Sequence, residues 1–111
     1  MRKFEKSNQI KKRALSVIPH QTGTFSRRSD SFVEGIFPSY IHTAEGSHFT
    51  DVDGNEYLDY LCGLGPITLG YNYKPVNDAI IDQLKQGMLF SLPHPVEVEC
   101  SEKISQVIPN A

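Results

Sequence analysis

The sequence has 111 residues, with 13 Asp and Glu against 11 Lys and Arg for a formal net charge of −2. That is one domain's worth at most. A near-neutral balance offers no basic field for nucleic acid, and no apolar run reaches the roughly 18 residues a membrane-spanning helix needs.

The N-terminus MRKFEKSNQIKKR is polar and precedes no hydrophobic signal core, so a cytoplasmic protein is expected. From Ser7 to Ile18 the apolar residues Ile10, Ala14, Val17 and Ile18 recur at helical spacing until Pro19 ends the pattern, which predicts an amphipathic helix. Lys11, Lys12 and Arg13 then form its solvated face. HQTGTFSRRSDSFVEGIFPS shows no periodicity and reads as a long irregular segment, uncommon in a compact domain unless functional or disordered.

Next, Tyr40–Thr43 predicts a short strand, and Ser47–Asp51 with Glu56–Tyr60 predicts a hairpin turning at Asp53-Gly54. The stretch DVDGNEYLDY has the look of a calcium loop. Counted from Asp51, however, its glycine falls fourth instead of sixth, and the twelfth position is Cys62, a poor ligand for a hard cation. His20, His42, His48 and His94 lack i, i+4 pairing, and Cys62 and Cys100 form no CxxC. No metal site is expected, and both cysteines read as free thiols.

After the hairpin, CGLGPITLGY is too apolar for a solvated linker and too broken for a helix. Its glycines allow close approach either to another chain segment or to a ligand. Pro75 at a first helical position, the face Val76, Ala79, Ile80 and Leu84, and a stop at Gly87 predict a second helix. A third begins near Pro95, with Glu97, Glu99 and Glu102 toward its positive end and a stripe of Val96, Cys100, Ile104, Val107 and Ile108. The class is α+β: an N-terminal helix, a small antiparallel sheet of about three strands and two further helices. These elements offer more apolar faces than they can cover among themselves, so the chain reads as unfinished.

The ordered combination of a helix ending in Ile18-Pro19, the irregular Thr/Ser/Arg segment, DVDGNEYLDY, GLGPITLGY, a Pro-led helix ending in glycine, and FSLPHPVEVECSEKI resembles the N-terminal part of the class III pyridoxal-phosphate-dependent aminotransferases. Within them it is most similar to the glutamate-1-semialdehyde 2,1-aminomutase branch. The resemblance spans nearly the whole chain. It implies the N-terminal segment (1–111) of an aspartate aminotransferase-like, fold type I enzyme, a homodimer whose subunits share active sites and which passes an amino group from a small-molecule donor to a carbonyl acceptor through pyridoxal 5'-phosphate. The family's phosphate loop, pyridine-facing aspartate and Schiff-base lysine have no counterpart here, so no catalytic or cofactor-binding residue is assigned and the segment alone is expected to be inactive.

Substrate-side positions do carry over by that resemblance. The serine and arginine that follow the family's Ile-Pro fall on Thr24 and Arg27, and its Trp-Gly-Pro falls on Leu64-Gly65-Pro66. A guanidinium matches a carboxylate bidentately. The departures PHQTGTF and Leu64 imply an aldehyde or ketone other than glutamate-1-semialdehyde, because losing an indole changes pocket volume and removes a donor. The alternative is a non-catalytic remnant or interaction module that buries its helix faces against a partner.

Overall fold

The computed structural model describes residues 2–110, in which helix α1 (Glu5–Leu15) leads through an irregular segment to the antiparallel sheet β1 (Ile41–Glu45), β2 (His48–Asp51) and β3 (Glu56–Leu58), followed by α2 (Lys74–Gln86) and α3 (Pro95–Val107). The chain divides into a larger unit reaching Lys74 and a smaller one beginning at Pro75.

Helix α1 starts two residues before the expected Ser7 and stops three before Ile18. Ile18 precedes a proline and is driven into extended backbone (φ −128°, ψ 118°), which unwinds the last turn. At the other end Phe4 has no side-chain acceptor for the first helical N–H groups. Asp53, in the β2–β3 turn, fills that role: its carboxylate accepts the N–H of Lys6 at 2.7 Å and of Ser7 at 2.9 Å. Burial pushes the Asp53 carboxyl up, but these two N–H groups and the Lys6 charge outweigh it and hold the group below its usual range. The residues before α1 are tied down further, with Asn55 Nδ2 donating to the Lys3 carbonyl at 2.8 Å and Arg2 lying 4.2 Å over the Tyr57 ring.

The irregular segment contains three short 3₁₀ turns, Pro19–Gln21, Phe25–Arg27 and Ser29–Ser31. β1 runs further than Tyr40–Thr43 because Gly46-Ser47 closes a two-residue hairpin, with Glu45 opposite His48 and Gly46 at φ +55°. In the β2–β3 hairpin, Gly54 N–H donates to Asp51 C=O (3.1 Å) and Asp51 N–H to Asn55 C=O (2.9 Å), with Gly54 at φ +86°, the pattern of a three-residue turn with a glycine bulge.

Asp51 is the hub of that turn. Its fully buried carboxylate accepts from the N–H of Asp53 (2.9 Å) and Asn55 (2.8 Å), from Asn55 Nδ2 (2.8 Å) and from the Tyr57 hydroxyl (3.2 Å). Every acceptor position on a buried charge is thereby occupied, which is what makes its burial tolerable. Phe49, also buried, stacks on Tyr57 at 5.1 Å.

In the second unit, Gly87 ends α2 at φ +112° and donates to the carbonyls of Gln83 and Leu84. His94 caps α3: its Nδ1 accepts the Val96 N–H at 3.2 Å while Glu97 Oε1 accepts the His94 N–H at 2.9 Å. The His94 ring stacks on Phe90 at 5.1 Å. Val107 closes the helix and Ile108, before Pro109, is extended. Among the described residues the buried apolar side chains are Ala14 and Phe49 with Pro38, whereas Val76, Ile80, Leu84, Val96 and Ile104 are each roughly half exposed.

Candidate functional site

The glycine loop leaves β3 through Asp59 and returns at Tyr71. Its first turn, Cys62–Leu64, is built in left-handed backbone: φ is +47° at Cys62, +61° at Gly63, +66° at Leu64 and +115° at Gly65. Glycine occupies two of these positions at no steric cost, but Cys62 and Leu64 adopt a conformation that L-residues enter at a cost of roughly 1 kcal/mol or more each. The Leu64 side chain is 72% exposed, and Gly65 and Pro66 are exposed beside it. Leu64 therefore combines strained backbone with an exposed side chain.

Thr24 caps the Phe25–Arg27 turn in extended backbone, and its carbonyl accepts the Arg27 N–H at 3.2 Å. Arg27 and Arg28 adjoin in sequence but differ in use. Arg28 forks onto Asp30, which raises its guanidinium and lowers the carboxyl through their hydrogen bond, and lies over the Phe25 ring at 4.9 Å. Arg27 is exposed, and among the described residues no carboxylate pairs with it. Its charge nevertheless reaches the end of the glycine loop. The Tyr71 phenol is pushed up to about 12 by its hydrogen bond to Asp59, by burial and by the Asp59 charge, and Arg27 opposes that rise.

Among the described residues no three His, Cys, Asp or Glu side chains group to hold an ion. Nor is any helix of the described residues long and apolar enough to cross a membrane. A cavity of about 160 Å³ between α1 and the irregular segment, lined by Phe4, Lys11, Glu34 and Phe37 among others, includes none of Thr24, Arg27, Leu64, Gly65 or Pro66. Its lysine is already paired, Lys11 Nζ to Glu34 at 2.9 Å.

Sequence patterns missed the scaffold roles of Asp51, Asp53, Asp59 and Tyr71. One signal was available: a glutamate three residues after His94 is the second half of a capping box.

The family model for aminotransferase class III matches residues 31–111, a span that runs from the end of the irregular segment through the hairpin and glycine loop to α3. The chain belongs to the class III aminotransferase family. It is 35% identical over 108 residues to the 3-aminobutyryl-CoA aminotransferase of Cloacimonas acidaminovorans, an alignment covering 96% of this chain and 26% of that protein. With the glutamate-1-semialdehyde 2,1-aminomutase 1 of Lachnoclostridium phytofermentans it shares 34% identity, covering 95% and 24%. Its fold superposes on the FumI protein of Sphingopyxis sp. MTA144, solved in a PLP form, with a TM-score of 0.84 at 27% identity, covering 95% of this chain and 25% of that one. The chain thus spans about a quarter of the length of the relatives it matches.

Proposed function

We propose that this chain is the N-terminal portion of a pyridoxal-phosphate-dependent class III enzyme that transfers an amino group to an aldehyde or ketone, and that it supplies part of the substrate-side wall. The observation that carries the wall reading is the contrast between the two arginines: Arg28 is consumed by Asp30, whereas Arg27 is exposed and unpaired by any described carboxylate. A guanidinium in that state is suited to a substrate carboxylate. Leu64-Gly65-Pro66 presents an apolar surface and bare backbone where the family's pocket loop lies by resemblance, and Thr24 adds a hydroxyl.

Pyridoxal phosphate, when bound, supplies the electron sink for amino transfer. The residues present do not fit its attachment. A lysine that holds a carbonyl cofactor must be desolvated, but Lys3, Lys6, Lys12, Lys74, Lys85 and Lys103 are exposed and Lys11 is committed to Glu34. Cofactor attachment is accordingly assigned to the rest of the enzyme, as is the second subunit of a homodimer, and the 111 residues alone are expected to be inactive.

The test is to mix the purified 111-residue chain with pyridoxal phosphate, reduce with borohydride and weigh the product. No stoichiometric adduct is expected; a single adduct at one of these lysines would overturn the division of labour. The second reading, a non-catalytic interaction module, draws on the exposed stripes of α2 and α3. A reading frame continuing past codon 111 into a phosphate loop and a lysine supports the enzyme, and a stop codon there supports the module.

A further inference from the structure

The left-handed run from Cys62 to Gly65 cannot hold itself, since two of its four residues sit in backbone they disfavour. Its internal bonds are short-range: Leu64 N–H to Leu61 C=O (2.8 Å), and the N–H groups of Gly65 (3.0 Å) and Ile67 (3.1 Å) to Cys62 C=O. One carboxylate bonds to both ends of the loop. Asp59 Oδ1 accepts the Leu61 N–H at 2.7 Å at the loop's entry, and Asp59 Oδ2 accepts the Tyr71 hydroxyl at 2.6 Å at its exit.

Both partners are themselves fixed to the sheet. Asp59 N–H donates to Ser47 C=O at 2.8 Å, and Tyr71 exchanges two backbone bonds with Gly46, at 3.0 and 2.7 Å. Gly70 permits that approach, because a Cβ there would lie 3.0 Å from the Gly46 oxygen. Asp59 and Tyr71 are half-buried, so the charge-assisted O–H···O⁻ bond is shielded from full competition by water.

We propose that Asp59 and Tyr71 are positioning residues, a clasp that joins the two ends of the glycine loop and thereby fixes where Leu64, Gly65 and Pro66 stand in the pocket. The inference rests on the reading of those three residues as substrate wall. Neither clasp residue touches substrate; they act through the loop between them.

The test compares Tyr71→Phe, which deletes one hydroxyl and keeps the ring, and Asp59→Asn with the parent in the full-length chain. The first readout is amide hydrogen exchange followed by mass spectrometry. Peptides covering 61–67 are expected to exchange about tenfold faster in both variants, the scale of a lost hydrogen bond to a charged group, while peptides covering β1–β3 keep their rates. The second is kinetics with succinic semialdehyde as carbonyl acceptor: KM is expected to rise about fivefold with kcat within about twofold, the signature of a displaced binding wall. Unchanged exchange at 61–67 would overturn the clasp. Faster exchange there with unchanged KM would leave the clasp standing and overturn both the wall reading and the positioning role. Faster exchange throughout the sheet in both variants would make the pair a general support of the fold and overturn the loop-specific assignment.

Discussion

Replacing Asp53 by alanine tests the interaction that joins the N-terminal helix to the hairpin. The carboxylate accepts two of the first N–H groups of α1, at 2.7 and 2.9 Å, and Phe4 at the cap position offers no acceptor in its place. Lys6 is exposed, so water replaces the carboxylate on its N–H; Ser7 is 1% exposed, so its N–H is poorly resolvated. Loss of a capping side chain costs about 0.5–2 kcal/mol, and one exposed plus one buried donor puts Asp53→Ala in the upper half, roughly 1–2 kcal/mol. Asp53→Asn keeps one acceptor oxygen and loses the charge, so it falls between. Because the folded carboxyl titrates below its usual value near about 4, the contribution is complete above that pH and lost as the pH falls below it. Urea denaturation at pH 7 and pH 3 measures both effects: the gap between parent and variant is expected at pH 7 and narrows at pH 3. Coincident curves at pH 7, or a gap unchanged at pH 3, would refute Asp53 as the cap.

Gly87→Ala is expected to lose about 1–2 kcal/mol by the same assay, since φ is +112° and the new Cβ would meet Phe90 Cε1 at 2.9 Å. Tyr71 predicts an alkaline effect. Its phenol ionises near about 10 in the unfolded chain and only at about 12 in the fold, so its stabilisation is present below pH 10 and lost as the pH climbs through 12. Tyrosinate absorbance at 295 nm should show Tyr71 titrating at about 12, beside Tyr40 and Tyr57, which burial also raises, and Asp59→Asn should move the Tyr71 titration down.

The elements most legible in the sequence were those whose ends carry backbone chemistry. Pro75 and Gly87 bracket α2, and Pro95 with Glu97 opens α3, because a fixed φ, a left-handed stop and a dipole-matched charge act within one turn. The end of α1 was overrun because Val17 and Ile18 keep the apolar period after Pro19 has already forced Ile18 extended. The hairpin of DVDGNEYLDY was legible in the sequence, but the roles and partners of its acidic residues were not. Asp53 caps a helix 47 residues earlier in the chain, and Asp59 reaches Tyr71 across a loop, distances that no local period encodes. The hydrogen-bond hub at Asp51 hides behind the same limit, since its burial depends on the sheet that forms around it. In the candidate site, the distinction between Arg27 and Arg28 was invisible until Asp30 took one of them.

Arg27→Ala in the full-length enzyme tests whether this guanidinium holds a substrate carboxylate. The measurement is kcat/KM for succinic semialdehyde beside butanal, which lacks the carboxylate. A guanidinium that holds the carboxylate predicts a loss of roughly 2 kcal/mol or more on the charged acceptor alone, the scale of a charge-assisted pair deprived of one partner. Equal losses on both acceptors, or a change under about 1 kcal/mol on either, would be the behaviour of a solvated surface charge and would contradict the account.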